Sequence, residues 1–364
     1  MVDPSKIVFI IPSLHPGGME RVMSELAGYF STKKDIELHL VLYGINRDVF
    51  YQIPENIHIH KPDFEFDGSS RLISSVKTCW FIRKKLTSLK PDAVLSFGEY
   101  WNSFVLLSLI GKRLPVYISD RCQPDKYLGK TQEFLRSWLY PKSAGIIAQT
   151  KVAEMIYQQK SLHNNIKVIG NPIRNIHSQI GIPKENIVLS VGRLIATKHH
   201  DELIRLFVKI SQPAWKLVIV GDDALKQKNM VRLQRLIDDL AATDKVILAG
   251  KQSDVESYYR RSKIFAFTSS SEGFPNVIGE AQSAGLPVIA FDCVAGPADM
   301  ISDSVNGYLV PLFDFEMFQQ KLADLMLDEN LQISMGAAAK ASIAQYNVDS
   351  IGASFKNFIL GEPA

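Results

Sequence analysis

No stretch of this 364-residue chain approaches the roughly 18–20 unbroken apolar residues of a membrane helix; the best run spans only residues 104–110. Cysteine is scarce. Cys79, Cys122 and Cys293 are unevenly spaced, which excludes a disulfide framework and a zinc-ligand pattern. Cys122 reads as a packing residue. Low-complexity segments and internal repeats of about 20–50 residues are missing, so a solenoid is excluded. Neither Gly-x-Gly-x-x-Gly nor a Walker loop occurs, so a nicotinamide fingerprint and a P-loop are both absent. The opening Met-Val-Asp-Pro-Ser-Lys has no signal-peptide character. The expected compartment is therefore the cytoplasm.

Charge of one sign is also lacking: 41 Lys and Arg against 38 Asp and Glu leave a net +3. That balance hides an asymmetry. Residues 1–170 hold 22 basic and 16 acidic residues, a net +6, and the remainder holds 19 and 22, a net −3. The first half is suited to an anionic partner, such as a membrane surface or a phosphorylated acceptor. No recognisable nucleic-acid module is present, so nucleic acid is not expected as a partner.

What is present is a steady alternation. Short apolar runs at 6–11, 38–42, 93–96, 116–119, 145–148 and 167–169 read as strands of a first sheet. Runs at 187–191, 216–220, 246–248, 264–267, 288–290 and 308–310 read as strands of a second. They are apolar throughout rather than alternating, as befits strands covered on both faces. Helical stretches lie between them, so the fold class is α/β, with two doubly wound parallel sheets. The expected domains are 1–170 and 185–345, with a final helix in 346–364. The boundary falls in the turn-rich stretch 170–185, which contains Gly170-Asn171-Pro172, Gly181 and Pro183. Ligands of such sheets bind at the carboxyl ends of the strands, so a cleft between the two domains is expected.

Three motifs sit at such strand ends. Pro16-Gly17-Gly18-Met19-Glu20 follows the first strand and opens a helix. Glycines there let backbone approach a ligand, and a helix start favours anions. A bland tight turn would look the same. Next comes Val191-Gly192-Arg193-Leu194, with Lys198 close behind. A guanidinium and an ammonium leaving one strand end can clamp a pyrophosphate. The strongest is Glu272-Gly273-Phe274-Pro275-Asn276-Val277, with Glu280 further along. Proline suits a first helical turn, so Glu272 precedes a helix and Glu280 lies inside it. Two carboxylates so placed can bind hydroxyls on two parts of an extended ligand, with the helix start facing its anionic centre.

Together these motifs resemble the family 4 retaining glycosyltransferases, which have the GT-B fold of two Rossmann-like domains. The resemblance spans almost the whole chain and is densest over residues 187–310. It implies that Arg193 and Lys198 hold the pyrophosphate of a nucleotide-sugar donor and stabilise it as it leaves. Glu280 would bind ribose hydroxyls. Glu272 would contact the transferred sugar, with Gly273, Pro275 and the amides near Phe274, Asn276 and Val277 around it. Lys251 would lie near the base, and Gly17, Gly18 and Gly192 would line the donor phosphates. The implied catalytic residues are Glu272, Arg193 and Lys198. UDP-sugar is the expected donor, and a growing glycan, plausibly lipid-linked, the expected acceptor.

One departure stands out. Many relatives carry a histidine near the donor sugar, whereas this chain reads Ile118-Ser119-Asp120-Arg121-Cys122. Asp120 and Arg121, with Glu20, are assigned to the acceptor side. Asp222-Asp223 and Asp314-Phe315-Glu316 only superficially resemble a metal motif; Asp222 and Asp314 read as turn or helix caps. With two cations at the phosphates, no metal and no cofactor is expected. Basic residues with Trp138 and Tyr140 around 127–140, and the helix expected over 71–89, suit peripheral contact with anionic lipid at the inner face of the cell membrane. A sugar-nucleotide epimerase of the same architecture and a non-catalytic nucleotide-sugar-binding subunit are the competing readings.

Overall fold

The computed structural model describes residues 3–45, 47–177, 183–210, 212–224 and 227–362. Part of the expected boundary, residues 178–182 including Gly181, lies outside them. The chain divides into two units. Unit 1 comprises Met1–Pro172 with Val348–Ala364, and unit 2 comprises Ile173–Asn347.

Among the described residues, unit 1 holds seven parallel strands: β1 Ser5–Ile11, β2 Ile36–Leu42, β3 His58–His60, β4 Ala93–Phe97, β5 Val116–Ser119, β6 Gly145–Ala148 and β7 Ile166–Val168. Their order is β3-β2-β1-β4-β5-β6-β7. The described residues of unit 2 form six: β8 Ile187–Val191, β9 Lys216–Val220, β10 Val246–Gly250, β11 Ile264–Phe267, β12 Val288–Asp292 and β13 Gly307–Pro311. Their order is β10-β9-β8-β11-β12-β13. Both sheets are doubly wound, as expected for two Rossmann-like domains.

Burial explains the unbroken apolar runs. In unit 2, Val188, Leu217 and Ile289 enter one core cluster, while their neighbours Leu189, Val218 and Val288 enter another. Successive side chains point to opposite faces of a strand, so both faces carry helices and both need apolar residues. β3 breaks the pattern and was not expected. Its His-Ile-His sequence has no apolar run, because an edge strand of three residues is mostly exposed.

The last helix, Val348–Leu360, packs within unit 1. Gly352 permits this, since a Cβ there would lie 2.4 Å from the Tyr29 ring. Lys356 Nζ meets Asp35 Oδ2 at 2.7 Å on the same face.

β3 also builds a histidine stack at the sheet edge. His39 Nδ1 lies 3.0 Å from His60 Nε2, and His39 Nε2 lies 2.9 Å from Glu37 Oε1. Burial, aided by Lys85, draws His60 down to about 4. In unit 2, burial and Lys198 draw His200 down to about 3. These imidazoles are neutral in the fold but protonate near pH 6.5 once unfolded. The unfolded chain then binds more protons, so stability falls as pH drops from about 6.5 towards 4. Melting temperatures measured across that window should decline, and His60→Asn should flatten part of the slope.

Candidate active site

In unit 2, β8 lies between β9 and β11, so the strand order reverses there and a crevice opens at the carboxyl ends. The loops after β8 and β11 carry the two strongest motifs. The ends of β8, β9 and β10 are stitched together by backbone. Gly192 N–H donates to Val220 O at 3.0 Å, and Gly221 N–H donates to Gly250 O at 3.0 Å. Gly221 has φ +154, and a Cβ on it would sit 1.9 Å from the Gly192 carbonyl oxygen. Sequence reading missed Gly221. The available signal was the repeated strand ending Val191-Gly192, Val220-Gly221 and Ala249-Gly250.

After Gly192 the chain makes a short 3₁₀ turn, Ala196–Lys198, and His199 adopts the left-handed conformation with φ 48 before the helix His200–Lys209. The turn is fastened to the loop after β11. Thr268 Oγ1 donates to Lys198 O at 2.7 Å, and Ser270 N–H donates to Thr197 O at 2.8 Å. His199 Nε2 lies 2.9 Å from Ser270 Oγ. This framework delivers Lys198 Nζ to Glu272 Oε1 at 2.5 Å, with both side chains about one-seventh exposed. The ammonium also lies 4.8 Å from the centre of the Phe267 ring. Arg193, at the same strand end, is exposed and has no side-chain partner among the described residues.

The loop continues through Gly273 and the buried Phe274, whose ring lies 5.8 Å from Tyr346. Pro275 takes the N-cap and the helix runs Asn276–Ser283, one residue later than proline at its first position would give. Gly296, at φ +102, packs so closely on Pro275 that a Cβ would lie 2.2 Å from Pro275 Cδ. Glu280 projects from this helix and accepts from the Tyr259 hydroxyl at 3.0 Å. Tyr259 had no sequence signal. Burial, with Glu272 nearby, pushes the Cys293 thiol up to about 12, so Cys293 is an inert wall of the site. Lys251 follows β10 and is exposed. The structure thus joins Lys198 to Glu272 directly and leaves Arg193, Lys251 and Glu280 at neighbouring positions along the same sheet edge and helix.

The helix caps in the acidic pairs are Asp223, rather than the expected Asp222, and Asp314. Asp223 Oδ1 accepts from Asn229 N–H at 2.6 Å, and Asp314 Oδ1 accepts from Met317 N–H at 2.9 Å. No group of three or more candidate metal ligands occurs among the described residues.

In unit 1, Gly17 caps the helix Gly18–Ser31, and the Tyr51 hydroxyl bonds both its N–H and its carbonyl. A Cβ on Gly17 would lie 2.2 Å from Glu20 Oε2, so the Glu20 carboxylate folds over this turn. Asp120 is buried. It accepts from Tyr140 at 2.6 Å, Arg136 at 2.7 Å and Asn102 at 3.0 Å. That network corrects the reading of residues 127–140. Arg136 and Tyr140, expected on a lipid-facing surface, are 2% and 0% exposed, because they complete the shell around Asp120. Arg121 stacks on Phe97 and donates to Asn171 Oδ1 at 2.6 Å, and burial draws its guanidinium down to about 9. Asp120→Ala would strand the Arg136 charge in the interior. An equilibrium urea titration should show unit 1 losing about 3–5 kcal/mol.

Two separately cored, doubly wound units, with the candidate chemistry at a strand-order reversal, define the GT-B fold class. Residues 172–342 match the family described as "Glycosyl transferases group 1". Over those residues the chain is similar to a glycosyltransferase group 1 domain. It is 28% identical over 358 residues to the amylovoran biosynthesis glycosyltransferase AmsD of Erwinia amylovora, covering 95% of this chain and 97% of that one. It is 27% identical over 354 residues to a Campylobacter jejuni enzyme named GalNAc-alpha-(1->4)-GalNAc-alpha-(1->3)-diNAcBac-PP-undecaprenol alpha-1,4-N-acetyl-D-galactosaminyltransferase, covering 95% and 96%. Anabaena HepE, solved in complex with UDP and glucose, shares the fold with a TM-score of 0.77 at 19% identity, covering 97% and 98%.

Proposed function

We propose that the protein is a metal-independent, retaining glycosyltransferase that moves a sugar from a UDP-sugar to a lipid-linked glycan during surface polysaccharide assembly. The observation that carries this reading is the Lys198–Glu272 pair beside the exposed Arg193 at the strand-order reversal of a domain similar to group 1 glycosyltransferases. In the free protein Glu272 neutralises Lys198 and fixes its direction. When donor binds, Lys198 and Arg193 turn to its pyrophosphate, and Glu272 and Glu280 accept hydrogen bonds from hydroxyls of the sugar and the ribose. As the sugar–phosphate bond breaks, negative charge grows on the leaving phosphate, and two fixed cations stabilise it without a metal. The acceptor hydroxyl attacks from the same face and passes its proton to the departing phosphate oxygen, so configuration is retained.

The named activities of AmsD and of the Campylobacter enzyme support a polysaccharide or undecaprenol-linked acceptor. The UDP and glucose bound to HepE support a UDP-sugar donor. We assign acceptor binding to unit 1, including Arg121 and Glu20. Its exposed Trp80 and Trp138, with Lys84 4.8 Å and Lys142 5.7 Å from their rings, suit peripheral docking on anionic lipid at the cytoplasmic face. No helix among the described residues is long and apolar enough to cross a membrane.

Incubation with UDP-sugars and undecaprenyl-diphosphate-linked saccharides, followed by mass spectrometry and proton NMR of the product, tests the reading. An added sugar with the donor's anomeric configuration, formed equally in EDTA, is expected. An inverted product would refute retention, and epimerised donor without transfer would favour the epimerase.

A further inference from the structure

Glu280 is the carboxylate assigned above to the ribose. A glutamate left to itself reads hydroxyls poorly, because its long side chain swings among many rotamers. Here it is held at both ends. Its helix, Asn276–Ser283, is seated through the neighbouring Gly279, where a Cβ would lie 2.7 Å from Ile173 Cδ1. Its carboxylate is held by Tyr259, whose hydroxyl donates to Oε2 at 3.0 Å.

Tyr259 is itself locked by packing. It lies in the short helix Glu256–Arg261 and is 1% exposed. Its ring packs on Phe265 with centroids 5.8 Å apart, and Phe265 stacks on Phe267 at 6.4 Å. Phe265 and Phe267 are two residues apart on β11 and so share one face of the sheet. The last ring of this column lies under Lys198, with Nζ 4.8 Å from its centre. One buried aromatic column thus supports the carboxylate at one end and the ammonium at the other. Phenylalanine would fill the same volume as Tyr259, so the hydroxyl needs a use of its own, and the carboxylate it meets supplies one.

We infer that Tyr259 is a positioning residue for donor recognition: it aims the Glu280 carboxylate at the ribose hydroxyls and so makes the site select ribonucleotides over deoxyribonucleotides. This role rests on the donor-site reading of Glu280 above. A carboxylate already ordered accepts hydroxyls without first losing rotamer freedom. A ligand that lacks those hydroxyls leaves the oriented acceptor unpaired, which is how hydroxyl-reading sites discriminate. Without the Tyr259 hydroxyl the carboxylate is loosened, and the preference fades while the rest of the nucleotide still binds.

The test is calorimetric titration of the full chain with UDP and GDP and with the 2′,3′-dideoxy form of each. Wild type is compared with Tyr259→Phe, which keeps the packed ring, with Glu280→Gln and with the double variant. Wild type is expected to bind one ribonucleotide about 20-fold tighter than its dideoxy form, as a half-buried hydroxyl-reading site would. Tyr259→Phe should reduce that ratio to about threefold by weakening the ribonucleotide alone, and should add nothing to Glu280→Gln in the double variant. A purely structural tyrosine would weaken ribo and dideoxy forms alike, and that result would overturn the inference. A Tyr259→Phe ratio equal to that of wild type would also overturn it, while leaving Glu280 as the ribose ligand and the transferase reading intact. Wild type that binds both forms equally, or neither, would overturn it together with the reading of Glu280 on which it rests.

Discussion

Lys198→Ala is expected to lower sugar transfer by about 10²–10³-fold, mainly in kcat, as expected for loss of one preorganised charge at a leaving group. The geometry explains why the effect is so large. Lys198 is held by its turn, by Thr268 and Ser270 on the neighbouring loop, and by Glu272 at 2.5 Å. The backbone that carries Lys198 is therefore held in place, and only the side chain has to turn from Glu272 to the pyrophosphate, which happens on donor binding and before the phosphate departs. The same substitution leaves the Glu272 carboxylate only 14% exposed and without its counter-charge, so some stability is lost as well. The double variant Lys198→Met, Glu272→Gln separates the two effects. It should melt close to wild type yet remain as inactive as the single variant. Recovery of activity with recovery of stability would make the ion pair purely structural.

The second large effect is expected at Gly221, a residue that touches no proposed ligand group. Its φ of +154 is one that residues with a side chain rarely adopt, and a Cβ would sit 1.9 Å from the Gly192 carbonyl oxygen. The obstacle is backbone and cannot rotate away. Gly221→Ala must therefore push the end of β9 from the end of β8, moving Gly192 and with it Arg193. A loss of about 2–4 kcal/mol is expected from strain and clash together, read as an earlier urea midpoint. The surviving folded fraction should also bind donor more weakly. By contrast, Gly28→Ala, inside the helix Gly18–Ser31, meets no atom within 4 Å and should not destabilise. Equal behaviour of the two would refute the proposed coupling of these strand ends.

Much of the fold was legible because a doubly covered strand must be apolar on both faces, which leaves an unbroken run in the sequence. β3 was not legible, since edge exposure lets His58 and His60 be polar. The motifs at residues 192–198 and 272–280 were legible because their glycines and proline mark strand-to-helix turns. Their pairing was not. Lys198 and Glu272 are 74 residues apart and meet only because β8 and β11 are neighbours in the sheet. Asp120 shows the opposite failure. From sequence it is assigned, with Arg121 and Glu20, to the acceptor side. Its burial depends on Arg136 and Tyr140, whose helical positions resemble a solvated face until the packing of unit 1 is known.

The proposed donor site at the carboxyl edge of β8 and β11 binds a nucleotide sugar through Arg193, Lys198, Glu272 and Glu280. Calorimetric titration of the protein with UDP- and GDP-sugars, alongside Arg193→Ala and Glu280→Gln, tests it directly. Binding of one donor class, weakened at least about tenfold by each substitution with melting temperatures unchanged, is the predicted result. Donor affinity that is undetectable, or indifferent to both substitutions, would contradict the claim.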